Sequence, residues 1–421
     1  MKVERLDLRS EGGESRATAR IQWEDAAREP FELAFEARGD AMEAMRAEPN
    51  AMLLAVALPA MRAGERRIAI EGAVCPLLRD GLAAAATILR DWYGPPRLLP
   101  AIEPSAGFSA PSPAPERRSA GFLSGGMDSL DVFLHNRSQF PAGHPSRLAE
   151  ALHVSGLPYT GPAASTSRES FVARGRSAAT AMARGLGVAL TFVRTNLADI
   201  DRDFLFFRQE YFGSAYAAIA QLFCRRFTSA SFASAHQFGI RLDPLGSHPL
   251  LDPLYSTGAL TFRHEGADRT RLQKAETAAT RPDLLADLHV CLRTPFEGAG
   301  RNCGRCEKCL HSQIELLLAG ARRAEAAFPS GALDAAAILA IPADPHTIFY
   351  WRPLAARLLS AGRQDLADAV ARKVTEMDRV RAWTRDLGWR GKLRRIDRRY
   401  LGSALLGLRR AMTRRTGGRP S

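Results

Sequence analysis

Residues 117–136 read RRSAGFLSGGMDSLDVFLHN, and the reading of this stretch decides the fold. Ala120-Gly121-Phe122-Leu123 is a short apolar run of strand character. It breaks into Ser124-Gly125-Gly126-Met127-Asp128-Ser129, after which Leu130, Phe133 and Leu134 recur at helical spacing. A strand, a glycine turn and a helix start together make an anion site. Paired glycines let the backbone approach a ligand closely, and free N–H groups plus the helix dipole favour negative charge. Ser124 and Ser129 add hydroxyl donors. The plain alternative is a turn that only connects strand to helix, which Gly-Gly alone would favour. The GxxxxGK[ST] pattern of kinases and GTPases does not fit the stretch.

Downstream, strands at Ala149–Ser155, Ala189–Arg194 and Ser229–Ala235 alternate with helices at Arg174–Leu186 and Ser214–Phe227. This alternation predicts an α/β fold, a doubly wound parallel sheet with helices on both faces. Ligands of such sheets lie beyond the carboxyl ends of the strands. His153, Val154, Ser155 and Gly156, then Thr195-Asn196 and Ser234-Ala235-His236, are therefore expected to rim the pocket of Ser124–Ser129. For His153 and His236 a structural hydrogen bond is an equal alternative. Thr261–Thr277, TFRHEGADRTRLQKAET, reads as a turn-and-helix stretch with Arg263, His264, Glu265, Arg269, Arg271 and Lys274. It either binds the triphosphate or an acidic substrate, or is a solvated helix face. Lys274 is singled out because lysine is rare in this chain.

Upstream, residues 1–103 read as a small α+β domain without a catalytic motif. Ala17–Trp23, Phe31–Phe35, Met52–Ala57 and Ile68–Ile70 look like strands, and Leu77–Trp92 has helical spacing. Residues 104–116, rich in Pro, Ser and Ala, form a linker into the central region at 117–323. Residues 324–421 begin helical and alanine-rich, with Ile348–Trp351 as an aromatic core patch. They end in a tail from Arg390 in which Leu401, Leu405, Leu408 and Met412 share a face between arginine pairs. Such a tail either packs on its own domain or meets nucleic acid or an anionic membrane surface. The net charge of +13 over 421 residues is carried mostly by arginine and much of it lies after Arg390, so it says little about the central region. No stretch is long and apolar enough to span a bilayer, and a cytoplasmic protein is expected.

Of the six cysteines, Cys75 and Cys224 sit singly in apolar surroundings, as core residues do. Cys291, Cys303, Cys306 and Cys309 fall within one short stretch, with eleven residues after the first and then two-residue spacings. Four thiolates suit tetrahedral Zn²⁺, and an iron–sulfur cluster is the competitor. No Cys-Pro follows, which favours zinc.

Ser124–Ser129 matches the SGGxDS signature of the PP-loop ATP pyrophosphatases. With the downstream cysteines, the chain resembles the 7-cyano-7-deazaguanine synthase family of queuosine biosynthesis over roughly Ser119–Gly320, about half its length. The resemblance implies an AMP- and pyrophosphate-forming enzyme. A small-molecule or modified-base carboxylate would attack the α-phosphorus of ATP, and ammonia or an amine would then displace AMP. It implies ATP and Mg²⁺ at Ser124, Gly125, Gly126, Met127, Asp128 and Ser129, with His153 and Val154 beside them. Asp128, Ser129 and Lys274 are the expected catalytic residues, and the four cysteines would hold zinc. A thiolating enzyme acting on tRNA and a non-catalytic ATP-sensing module are the alternatives.

Overall fold

The apolar run Ala120–Leu123 becomes the middle of a ten-stranded sheet. The computed structural model describes residues 1–95, 97–110, 118–157, 165–235, 242–291, 300–321, 324–329 and 333–385. Its strands are β1 (Lys2–Glu11), β2 (Glu14–Gln22), β3 (Phe31–Gly39), β4 (Arg67–Ile70), β5 (Ala101–Pro104), β6 (Arg118–Phe122), β7 (Leu148–Ser155), β8 (Ala189–Thr195), β9 (Phe227–Ala233) and β10 (Thr261–Glu265). They lie in the order β10-β9-β6-β7-β8-β3-β2-β1-β4-β5. The five from β10 to β8 are parallel throughout. From β6 the chain adds β7 and β8 on one side, then returns to place β9 and β10 on the other. The order therefore reverses at β6, and the crevice beyond its carboxyl end is where open α/β sheets bind ligands.

α-Helix lies in the β6–β7, β7–β8 and β8–β9 crossovers, and a 3-10 turn at Asp252–Tyr255 precedes β10. α1 (Pro49–Ala63) and α2 (Pro76–Tyr93) belong to the N-terminal segment, and α3 (Met127–Gln139) joins β6 to β7. α4 (Ser165–Leu186) joins β7 to β8. A short α5 (Phe204–Phe206), a π turn at Phe207–Tyr211 and α6 (Phe212–Gln221) lead to β9. After β10 come α7 (Arg271–Ala279), α8 (Pro282–Leu285) and α9 (Glu307–Leu318).

Three sequence expectations need correction. Met52–Ala57 is not a strand but the interior of α1, between Pro49 at the first turn and Gly64, left-handed at φ 77°, at the end. Asn50 to Met61 is buried on every side. A run apolar all round has neither the period of two nor that of 3.6, so periodicity could not separate the two forms. Thr261–Glu265 is strand β10 rather than turn, although the helix at Lys274 is present. The helix expected over Ser214–Phe227 ends at Gln221, and Phe227 opens β9.

Residues 1–103 do not close a sheet of their own. β3 pairs antiparallel with β8, from Phe35 opposite Thr195 to Gly39 opposite Thr191. Gly39 is required at that junction: its φ is 111°, and a Cβ there would stand 2.3 Å from the Leu190 carbonyl oxygen. One compact unit accordingly comprises Met1–Gly304 with Glu315–Ser330, and a second comprises Arg305–Ile314 with Gly331–Ser421. Within the second, α10 (Ala335–Ala340), α11 (Ile348–Trp351) and α12 (Leu354–Ser360) pack on α13 (Gln364–Arg385), burying Ile338, Trp351 and Leu358. Lys373 is buried there and donates to the carbonyls of Leu339 and Ile341 and to Glu376. The basic tail from Arg390 lies outside the described residues, as do His236, residues 111–116 of the linker and Arg117. Among the described residues, no helix is long and apolar enough to cross a membrane.

Candidate functional site

The turn after β6 is built as its residues suggest. Leu123 N–H donates to the Leu152 carbonyl, which carries the β6–β7 ladder to the edge of the turn. Gly125 then takes φ 86°, a conformation that side chains other than hydrogen resist. A Cβ on Gly125 would lie 2.7 Å from that of Ala178 on α4, so glycine is needed for space as well. Gly126, in extended geometry, is the N-cap of α3. Ser129 Oγ donates to the Gly126 carbonyl at 3.0 Å and stands 3.1 Å from Ser124 Oγ, which accepts from Gly126 N–H at 3.2 Å. Ser124 is exposed and Ser129 buried. The turn therefore offers an accessible hydroxyl above the start of a thirteen-residue helix.

A charged lattice supports this turn from below. Lys274 on α7 is 1% exposed and donates to Asp128 Oδ1 at 3.0 Å and to the Ser234 carbonyl at 2.7 Å. Arg271, one turn earlier, lies 3.4 Å from Asp128 Oδ2 and 3.3 Å from Glu315. Asp131, one turn beyond Asp128 on α3, is fully enclosed. Arg269 approaches it to 2.9 Å, yet neither of its oxygens has a hydrogen bond among the described residues. Burial pushes the Asp131 carboxyl up, against the pull of Arg269 and Lys274. α7 is held in register by a capping box, in which Thr270 and Gln273 satisfy each other's backbone N–H groups.

Ser234, at the carboxyl end of β9, faces this lattice across the crevice. Its hydroxyl is 2.6 Å from His264 Nε2, and His264 Nδ1 is 2.7 Å from Asp252 Oδ2. Asp252 also accepts from Ser247 Oγ at 2.7 Å. With Asp252 as acceptor, Nδ1 carries the proton and Nε2 accepts from Ser234. The serine, histidine and aspartate side chains are all buried, so this chain of bonds fixes the end of β9 and with it the carbonyl that holds Lys274.

The four cysteines come together. The Sγ atoms of Cys291, Cys303, Cys306 and Cys309 all lie within 4.8 Å of one another, with Cys291 and Cys309 buried. A tetrahedron of thiolates about 2.3 Å from zinc puts sulfurs about 3.8 Å apart, so the donor set and its spacing fit the ion. Asn302 is the residue that sequence reasoning missed here. Fully buried, its Oδ1 accepts from the N–H groups of Val290 and Cys291, while Nδ2 donates to the carbonyls of Leu288 and Ala327. It ties the first cysteine to the stretch that carries the others. Gly304, at φ 72°, makes the turn after Cys303.

No family model, curated protein or solved structure matches the chain. Of those expected, Ser124 to Ser129 and Lys274 converge on one turn. His153 is buried with Nδ1 donating to the Leu123 carbonyl at 2.9 Å, and burial lowers its pKa. This is the structural hydrogen bond of the two alternatives. Val154 is half-buried on β7.

Of the expected rim, Ser234 stands beside the turn through Lys274, while the ends of β7 and β8 open elsewhere. Ser155, Gly156, Thr195 and Asn196 line a cleft of about 1080 Å³ in which Ser124–Ser129 take no part. α4 separates the two. Its Ala178 meets Gly125, while Arg176, Ser177, Thr180 and Arg184 on the opposite face line the cleft. The four-residue recurrence of Val172, Arg176, Thr180 and Arg184 was the available signal.

Proposed function

We propose that this chain is an ATP-dependent, AMP-forming enzyme of the PP-loop class that adenylates a carboxylate for attack by ammonia or an amine. The observation that carries the reading is the coincidence of SGGMDS with the reversal point of the parallel sheet, where Gly125 has positive φ and Lys274 and Arg271 stand against Asp128. In this reading the turn and the first N–H groups of α3 cradle the β- and γ-phosphates, and Ser124 adds its hydroxyl. Lys274 and Arg271 then neutralise the charge that gathers on pyrophosphate as it leaves. The lattice around Asp131 and the Ser234–His264–Asp252 chain hold both cations before substrate arrives, so little reorganisation accompanies the reaction.

Mg²⁺ fits the donor chemistry: the half-buried Asp128 carboxylate stands at the start of α3, and ATP brings oxygens of its own. Bound there, the ion would offset phosphate charge. Four thiolates leave zinc no open position, so the cysteine group has a structural role in this reading.

The test is to incubate the protein with α-labelled and γ-labelled ATP, ammonia and a panel of carboxylates, scoring AMP and pyrophosphate together. Asp128→Asn should reduce both products at least about a hundredfold while far-UV circular dichroism is unchanged. Equal product formation by that variant would remove Asp128 from the chemistry and the reading with it. Production of ADP in place of AMP would exclude α-phosphorus attack.

A further inference from the structure

The cleft beyond α4 has a composition that the loop chemistry leaves unexplained. Five arginines line it, Arg16, Arg176, Arg184, Arg194 and Arg301, against three carboxylates, Glu36, Glu169 and Asp199. Several of these charges are already matched. Arg16 and Arg194 both bind Glu36, at 3.1 and 2.6 Å, and Arg301 binds Asp287 at 2.9 Å. Asp199 pairs with Arg202 at 3.3 Å. Arg176 and Arg184 are exposed and have no carboxylate partner among the described residues. They stand eight residues apart on one face of α4, about 12 Å along its axis. Arg176 lies over the ring of Phe192 at 4.8 Å, which holds its guanidinium plane in place.

Between the two arginines the face carries Ser177, Thr180 and Ala181, whose small side chains leave room; Thr180 donates to the Arg176 carbonyl, and Ser177, which accepts from Arg301 at 3.1 Å, keeps its proton to donate. Opposite them stands the polar face of β8, β3 and β2, with Arg194, Glu36 and Arg16 respectively. A volume of about 1080 Å³ lies at the upper limit of single-metabolite pockets, about 300–1,000 Å³. Arg176 and Arg184 exceed the one remaining lining carboxylate, Glu169, and guanidinium groups spaced along an open cleft match several phosphates in a row better than one carboxylate.

We infer that this cleft binds the phosphate groups of a nucleotide-built ligand, with Arg176 and Arg184 as its principal contacts. The N-terminal strands acquire a purpose in consequence. By pairing with β8 they carry Arg16, Ala34 and Glu36 to the second wall, which the parallel strands do not supply. The site is distinct from the phosphate loop, because α4 turns opposite faces to the two.

The full chain is titrated into a short fluorescein-labelled oligouridylate, and fluorescence anisotropy is followed across a salt series. Uridine monophosphate and uridine are then added as competitors. Arg176→Gln/Arg184→Gln is expected to weaken binding at least about tenfold and to reduce the salt slope by about 1.4, two contacts at about 0.7 each. Arg90→Gln/Arg357→Gln, which removes the same charge from two exposed helix positions outside the cleft, is the control and should cost less than about twofold. Competition by the monophosphate but not by uridine would identify a single-nucleotide ligand, and failure of both to compete a strand; either supports the inference. Undetectable binding, or equal losses in the two double variants, would overturn it. ATP binding, measured by calorimetry on the same proteins, should be unchanged in the cleft variant. A loss there would show that the cleft and the loop are one site and would overturn their separation. Failure of oligouridylate binding with ATP turnover intact would leave the loop chemistry standing.

Discussion

Gly125→Ala tests the Ser124–Ser129 turn without assuming any substrate. Two costs arise from the geometry. Alanine at φ 86° is held in the left-handed region, which is unfavourable by about 1–2 kcal/mol. Its methyl carbon would stand 2.7 Å from the Ala178 Cβ, whereas carbons in contact prefer about 3.5–4.0 Å. α4 must then retreat by about 1 Å or the loop must deform, at about 1–3 kcal/mol. The expected loss is about 2–5 kcal/mol in urea unfolding followed by tryptophan fluorescence and circular dichroism. Ala178→Gly removes the obstructing methyl and alone costs about 1 kcal/mol for glycine in a helix, plus about 0.8 for the lost methyl burial. In the double variant the clash disappears while the backbone strain persists, so the cycle should give a favourable coupling of about 1–3 kcal/mol. A Gly125→Ala protein within about 0.5 kcal/mol of wild type, or a coupling near zero, would refute the loop geometry.

Lys274→Met keeps the volume but leaves the buried Ser234 carbonyl without its donor, so stability should drop by about 1–3 kcal/mol. AMP formation should fall further than Lys274→Arg would lower it, which an AMP assay on both variants reads. Cys306→Ser should lose zinc by atomic absorption, and full metal retention would eliminate the four-cysteine site. His153 is held below the ordinary histidine value of 6.5 by burial, so the unfolded chain takes up its proton more readily. Its contribution to stability is complete above pH 6.5 and declines as the pH falls through 6.5 toward the lower folded value. Each tenfold loss of proton affinity on folding is worth about 1.4 kcal/mol. His153→Gln, which can still donate to the Leu123 carbonyl, should flatten that decline in unfolding measured across the acid range. A slope identical to wild type would rule out His153 as its source.

Where the sequence spoke clearly, one local rule settled the matter. Six residues fix the turn after β6, because glycine conformations and helix starts are decided within a few bonds. The cysteines were legible for the same reason: two-residue spacings and Gly304 form a local knot. Lys274 stood out by its rarity, but its partners Asp128 and Ser234 lie far away in sequence, and nothing local signals them. The same limit hid Asn302, whose four bonds reach Leu288, Val290, Cys291 and Ala327. It also hid the pairing of β3 with β8, a register set by tertiary contact. α1 escapes because complete burial erases amphipathic period, and β10 because its charged residues sit on an edge strand and read as a solvated stretch.

The β3–β8 junction also bears on how the chain is made. Gly39 and Thr191 are neighbours across the sheet yet about 150 residues apart along the chain. At about 5–20 residues per second, a ribosome takes roughly 8–30 s to deliver the second after the first. For that interval β1 to β3 can pair among themselves while the outer rim of β3 has no companion. Glu32, Glu36 and Arg38 place charge on that strand, as strands do when they must resist joining the wrong neighbour. The nascent N-terminal strands therefore behave as a waiting template. Slowing translation between residues 40 and 188 would lengthen their exposure and increase the fraction of chains that aggregate instead of completing the sheet.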